Sequence, residues 1–233
     1  MKYKNIVKGK FISRPNRFIA EVEINGETAR CHVKNTGRCK ELLLPGADVY
    51  IEDFAGRMGS RRLRYSLITV RKGTRLINMD SQAPNKVVAE ALHSGVIQLP
   101  EMSELKEIKS EKTYGSSRLD FYVEDTCGRQ GLIEVKGVTL EEDGIAMFPD
   151  APTERGVRHI EELCRAVSEG FCAYIVFVIQ MQGISLFTPN YITHAAFGEA
   201  LKKASACGVH ILCLDCPVTP DSITAGNPVA FRL

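Results

Sequence analysis

No stretch of this 233-residue chain is long and apolar enough to cross a bilayer as a helix. The longest apolar run, Ala173 to Ile179, falls far short of the ~20 residues that a spanning helix needs. The opening residues, Met1-Lys2-Tyr3-Lys4-Asn5, carry charge but no apolar segment of secretory-leader length. A cytoplasmic protein with no membrane partner is therefore expected. Internal repeats and biased tracts are also missing, which excludes fibrous and low-complexity classes. Eight cysteines are present, but only Cys213 and Cys216, in Cys-Leu-Asp-Cys, have metal-like spacing. That is half of a zinc ribbon with no second half, and Cys207 nearby brings no fourth ligand. Buried, reduced, structural thiols are the expectation.

Net charge is also nearly absent, at +2, yet this average conceals an asymmetry. Residues 1–80 hold 17 Lys and Arg against 8 Asp and Glu, a net of +9; residues 81–233 hold 13 against 20, a net of −7. Such a split suggests two domains, 1–80 and 81–233, the first attracted to polyanions.

The first eighty residues read as β structure. Phe18, Ala20, Val22 and Ile24 alternate with Arg17, Glu21 and Glu23. Asn25-Gly26 then supplies a type I′ turn, and Thr28 to Val33 returns as the partner strand. A short helix is expected over Cys39 to Leu44, stopped by Pro45-Gly46. Ala47 to Glu52 and Leu63 to Val70 read as two further strands. An antiparallel barrel of about five strands fits, with an oligonucleotide-binding (OB) barrel the natural candidate; composition alone does not separate it from another small barrel. Between Arg57 and Arg75 lie seven basic residues, Arg57, Arg61, Arg62, Arg64, Arg71, Lys72 and Arg75, and no acidic one. Local charge of this kind suits phosphate contacts, so these seven are the candidate nucleic-acid-binding residues. A solvated edge strand blunted by Arg and Lys is the alternative. Tyr65 either stacks a base or belongs to the core.

The boundary is expected near Asp80-Ser81-Gln82-Ala83-Pro84, with a helix opened by Pro84 and continued to His93. A hairpin follows (117–137), then a helix (153–169), a strand (172–181), a helix (192–207) and a strand (209–215). The strand at 172–181 is apolar on both faces and so should be central, with helices on both sides. The fold class is α/β (α+β overall): a β-barrel followed by a mixed-sheet α/β domain.

The chemistry concentrates in that hairpin. Asp120 lies in Leu119-Asp120-Phe121-Tyr122-Val123, and Glu134 and Lys136 in Gly131-Leu132-Ile133-Glu134-Val135-Lys136. Period-two alternation gives one core face and an opposite face bearing two carboxylates and a lysine. A turn centred on Cys127 sets Asp120 opposite Glu134, with Cβ atoms about 5 Å apart, where like charges repel. A divalent cation between them removes that penalty. Lys136 would then orient or help deprotonate the attacking water, or stabilise charge on the phosphate. The plainer alternative has Lys136 neutralising Glu134 on a solvated face.

At these residues the chain resembles the PD-(D/E)XK superfamily of restriction-endonuclease-like nucleases, whose motif is an Asp on one hairpin strand and Glu-x-Lys on the next. Leu119 stands where that motif usually has Pro. Three longer stretches, Ser116-Ser117-Arg118-Leu119-Asp120, Ile133-Glu134-Val135-Lys136-Gly137-Val138-Thr139-Leu140 and Phe148-Pro149-Asp150-Ala151-Pro152-Thr153-Glu154-Arg155-Gly156, are similar to the sugar fermentation stimulation protein family. So are Arg14-Pro15-Asn16-Arg17-Phe18 and Asn35-Thr36-Gly37-Arg38. The resemblance implies an N-terminal OB-type barrel, a restriction-endonuclease-like second domain and DNA binding without strong sequence preference. It further implies either a Mg²⁺- or Mn²⁺-dependent phosphodiesterase with Asp120, Glu134 and Lys136 catalytic, or a non-catalytic DNA-binding regulator of sugar (maltose-type) metabolism. Single- and double-stranded DNA both fit, as does structured RNA, and a homo-oligomer is left open.

Secondary candidates remain. Glu90, on the Pro84 helix, is a candidate third acidic metal ligand beside Asp120 and Glu134; an ion pair with Lys86 is the alternative. Thr153 is expected to cap a helix whose core face is Val157, Ile160, Leu163 and Val167. Arg155 and His159, four apart, are candidate phosphate contacts or a solvated flank. Asp150 caps that helix or faces the site. His32, His93, His194 and His210 are expected to be structural.

Overall fold

The alternating first half forms strands β1 (Ile6–Asn16), β2 (Ile19–Ile24), β3 (Glu27–Val33), β4 (Asp48–Asp53), β5 (Tyr65–Lys72) and β6 (Arg75–Asn78). This is seen in a computed structural model describing residues 1–35 and 37–233, so Thr36 of the Asn35-Thr36-Gly37-Arg38 motif lies outside the described residues. Asn25 and Gly26 both take positive φ, 53° and 83°, as a type I′ turn between β2 and β3 requires. β1 pairs with β2 and β4, β4 with β5, and β3 runs parallel to β5 through Cys31↔Tyr65, His32↔Ser66 and Val33↔Leu67. That last pairing closes a five-stranded, OB-like barrel around Ala20, Val22, Cys31, Val33, Val49, Ile51 and Leu67. Cys39 to Leu44 does not form the expected helix. Cys39 sits at φ 45°, and the amides of Leu42 and Leu43 both reach its carbonyl, so the segment makes one tight turn.

The second half comprises α1 (Ala83–His93), β7 (Leu105–Tyr114), β8 (Ser117–Asp125), β9 (Gln130–Val138), β10 (Leu140–Glu142), β11 (Ile145–Phe148), α2 (Glu154–Ser168), β12 (Cys172–Ile179), β13 (Leu186–Pro189), α3 (Tyr191–Ala206) and β14 (His210–Asp215). Its main sheet has the order β14-β12-β9-β8-β7, parallel from β14 to β9 and antiparallel from β9 to β7. β12 is an interior strand between β14 and β9 rather than the middle one, and Ala173 through Ile179 are all fully buried, as a strand covered on both faces requires. Val87, Val88, Ala91 and Leu92 of α1 pack with Ile133, Val135, Val176 and Val178; Ile160 and Leu163 of α2 and Phe197 and Leu201 of α3 pack with Leu132, Ile175 and Phe177. Pro84 lies in the first turn of α1, and the Thr153 hydroxyl caps α2 by accepting from Gly156 N at 3.0 Å. Val157 and Val167 lie at the margins of the α2 core face rather than within it, because His159 and Glu162 are turned inward. No helix among the described residues is long and apolar enough to cross a membrane.

Barrel and sheet are joined by buried polar groups as well as by a continuous apolar core. Gln180, just past β12, donates from Nε2 to Asn78 O (3.0 Å), Asn78 Oδ1 (3.1 Å) and Asp80 O (3.1 Å). Asn78 Nδ2 in turn donates to the Tyr3 hydroxyl at 3.1 Å, and Lys34 meets the Asp80 carboxylate at 2.8 Å. On another side Lys72 and Arg75 of the barrel both bind Glu141 of β10.

Candidate functional site

The β8–β9 hairpin is set by its turn. Asp125 Oδ1 accepts from the amides of Cys127 and Arg129, and Oδ2 from Ser103 N and Arg129 Nε, all at 2.9 Å. Pairing runs Glu124↔Gln130, Val123↔Gly131, Tyr122↔Leu132 and Phe121↔Ile133, the register centred on Cys127 that the turn predicts. One further step sets Asp120 against Glu134. The ladder ends there because Asp120 Oδ2 itself accepts from Val135 N, at 2.8 Å, while Oδ1 accepts from the Asn85 side-chain amide at 2.7 Å. Asp120 is therefore held by both the neighbouring strand and the first turn of α1.

Glu134 lies under α2, not on a solvated face, and is 3% exposed. Its Oε1 takes two donors, Lys136 Nζ and His159 Nδ1, each at 2.5 Å. Its Oε2 is buried and has no hydrogen-bond partner among the described residues. Arg155 Nε donates to His159 Nε2 at 3.2 Å, so that ring nitrogen must accept and the imidazole carries its proton on Nδ1, toward Glu134. The chain Arg155–His159–Glu134–Lys136 thus crosses from one wall of the site to the other.

The two carboxyls differ in their ionisation. Burial, reinforced by the charge of Glu134, raises Asp120 above its ordinary range, against the Val135 amide and Asn85. Burial also opposes ionisation of Glu134, but the His159 hydrogen bond and the Lys136 charge outweigh it and hold this carboxyl below its ordinary value. Both groups line an open cleft of about 640 Å³, together with Ser81, Asn85, Lys86, Lys136 and Arg155. Among the described residues neither Lys86 nor Arg155 has a carboxylate partner, so two acids face three cations across this cleft.

The residues present fit a hard divalent cation. Glu134 Oε2 is an orphaned buried anion oxygen beside a second carboxylate whose protonation burial favours, and a cation relieves both costs. No group of three or more His, Cys, Asp or Glu side chains that could hold a metal occurs among the described residues. Two protein carboxylates, with water and substrate oxygens completing the shell, suit Mg²⁺ or Mn²⁺.

Several expectations need correction. Glu90 does not reach the cleft: its side chain is 59% exposed and pairs with the Met1 amine, because the apolar face of α1 turns it away. Asn85, one turn earlier, takes the place beside Asp120; nothing in the sequence sets it apart from its exposed neighbour Lys86. The basic run from Arg57 to Arg75 is not uncompensated. Arg57 pairs with Glu52, Arg64 with Asp53, Arg71 with Asp48, and Lys72 and Arg75 with Glu141. Arg61 stacks on Phe54 and bonds Ser66, which leaves Arg62 exposed and without an ion pair among the described residues. Tyr65 is half-buried, with Arg64 over its ring. His159 is buried against Glu134 while Arg155 stays exposed at the cleft. Asp150 does not cap α2; it accepts from Arg38 N of the barrel at 3.2 Å. All eight cysteines are free thiols, but Cys127 and Cys207 are exposed rather than buried.

Known proteins share this construction. Residues 12–79 match the family described as the SfsA N-terminal OB domain, and residues 82–222 match the sugar fermentation stimulation protein RE domain. The sugar fermentation stimulation protein homolog of Desulfitobacterium hafniense (strain Y51) is 58% identical over 233 residues, covering 100% of this chain and 99% of its own. That of Ruminiclostridium cellulolyticum is 56% identical over all of both chains, 100% of each. Among solved structures, Pyrococcus furiosus SfsA in complex with Ca²⁺ aligns with a TM-score of 0.88 at 30% identity, over 100% of this chain and 98% of that one. With both halves matched in order and relatives aligned end to end, the chain belongs to the sugar fermentation stimulation protein family.

Proposed function

We propose that this protein binds nucleic acid, DNA first of all, across the cleft and hydrolyses a phosphodiester bond there with a divalent cation. The observation that carries this reading is the buried Oε2 of Glu134, unpartnered among the described residues, beside Asp120 in a cleft that also holds Lys86, Lys136 and Arg155. A Ca²⁺ complex of the Pyrococcus furiosus relative supports a divalent ion. Asp120 and Glu134 would hold Mg²⁺ or Mn²⁺, which when bound supplies Lewis-acid chemistry at the phosphoryl group. Lys136, only 13% exposed and fixed on Glu134, would orient the attacking water and stabilise charge on the phosphate. His159 holds the Glu134 carboxylate in one rotamer. Arg155 and Lys86 would grip phosphates on either side. In this reading residues 81–233 are the hydrolytic unit and residues 1–80 guide the strand, with Arg62, and Arg61 behind it, as the barrel's contact of first choice.

Incubation of the full chain with labelled single- and double-stranded DNA, with and without Mn²⁺, beside Glu134→Ala, tests the proposal. Cleavage that requires the cation and vanishes in the variant is expected. Tight binding with no cleavage under any condition would replace the hydrolase by a non-catalytic regulator.

A further inference from the structure

A second, smaller pocket of about 190 Å³ adjoins the cleft, with Ser81 common to both and Gly137 in its wall directly after Lys136. It lies at the junction of barrel and sheet. Phe148 and Met147 supply apolar surface, while Thr139, Gln180, Asp150 and Ser81 supply polar groups. Thr139 and Gln180 are 7% and 1% exposed, so these are built-in polar groups rather than surface decoration. Gln180 is held by three hydrogen bonds. Its Nε2 is committed to Asn78 and Asp80, which turns Oε1 toward Gly137, where a Cβ would stand only 2.6 Å from that oxygen. Asp150 uses Oδ2 on the Arg38 amide, and the Ser81 hydroxyl is donated to Lys34 O. Asn35 Oδ1 is taken by the Gly37 amide, so the pocket offers the acceptors Gln180 Oε1 and the second Asp150 oxygen beside a donor, Asn35 Nδ2.

From this we infer that the pocket receives one unpaired nucleobase, from the nucleotide next to the phosphodiester held at Lys136, and favours bases with an exocyclic amino group. The inference rests on the nucleic-acid reading of the cleft. A volume below the ~300 Å³ of the smallest drug-sized sites has room for one heterocycle and not for a base pair. An apolar wall beside a polar edge is how single extruded bases are held, by stacking and by hydrogen bonds. Acceptors beside a donor match the amino group and the neighbouring ring nitrogen of cytosine or adenine, and leave thymine O4 facing like atoms.

Fluorescence anisotropy of the full chain in Ca²⁺ tests this with three labelled duplexes: fully paired, with one unpaired cytosine, and with one unpaired thymine. The cytosine bulge should bind at least about tenfold tighter than the paired duplex, with thymine between them. Met147→Trp, at a half-buried position that lines this pocket and not the cleft, should abolish the preference and leave affinity for the paired duplex unchanged. Thr139→Val, which removes one hydroxyl, should lower the preference, and thermal melting checks that both variants fold. Equal binding of all three duplexes, or a preference that survives Met147→Trp, overturns the pocket while leaving the cleft reading intact. Absence of binding to every duplex overturns the cleft reading itself.

Discussion

His159 and Glu134, on α2 and β9, are joined by a hydrogen bond of 2.5 Å that no other donor to Oε1 except Lys136 shares among the described residues. The bond engages Oε1 and leaves Oε2 without a partner among the described residues, and Arg155 fixes which ring nitrogen makes it. His159→Leu should therefore lower Mn²⁺ affinity about 10- to 100-fold, the usual cost of losing an outer-shell partner. His159→Gln should recover part of it through its amide N–H. Titration calorimetry reads both; equal affinity in the wild type and the Leu variant would remove His159 from any such role.

Lys136→Met separates binding from chemistry. The cation should still bind, since both carboxylates remain, while cleavage should fall by about 10²-fold or more. A variant that cleaves at the wild-type rate would return Lys136 to a plain neutralising partner of Glu134.

Asp125 gives an acid-side signature. Although burial works the other way, the amides of Ser103 and Arg129 and the side chains of Ser103 and Arg129 hold its carboxyl well below the ordinary value. A depressed folded value means its stabilisation is complete above the unfolded value of about 3.9 and is lost as pH falls toward the folded one. Asp125→Asn should thus melt lower at neutral pH and show a flatter loss of stability below about pH 4. Parallel melting curves for the two proteins across that range would contradict this.

Arg62 and Arg64, two residues apart, should respond in opposite ways. Arg62→Glu should weaken nucleic-acid binding and reduce the slope of log affinity against log salt by about one, with no change in melting temperature. Arg64→Glu faces Asp53 and should instead lower the melting temperature, with little effect on that slope. Reversed outcomes would mean the barrel meets its partner through another face.

Glu141 is 2% exposed and receives Lys72, Arg75 and the Gly144 amide. Glu141→Ala strands these donors between the two units and should cost about 1–3 kcal/mol, measured by denaturant unfolding. A change below about 0.5 kcal/mol would show that the pairing contributes only as a surface contact does.

The hairpin and its triad were legible because everything that sets them is local: the turn residues from Asp125 to Gly128 fix the centre, and period-two alternation fixes the faces. The barrel was legible through Asn25-Gly26 and the alternation before it. Charge compensation was not, because Arg57, Arg64 and Arg71 find their acids on β4, outside the basic run itself, and Lys72 and Arg75 find theirs some seventy residues away. β7 escaped notice because Lys, Glu, Ser and Thr dominate it, as an edge strand permits. Glu90 and Asn85 were confused because helical periodicity gives the buried face of α1 but not which exposed residue its first turn aims at a neighbouring strand.

The Gln180–Asn78–Tyr3 bonds tie barrel and sheet together through buried polar groups. On the proposed function, a cleft beside such a tied junction leaves the fitting to the polymer that enters. Intact duplex is stiff over about 150 base pairs, whereas a bulge or a free strand bends at almost no cost. On that reading mechanical compliance, rather than any letter of sequence, is the first property the cleft would select.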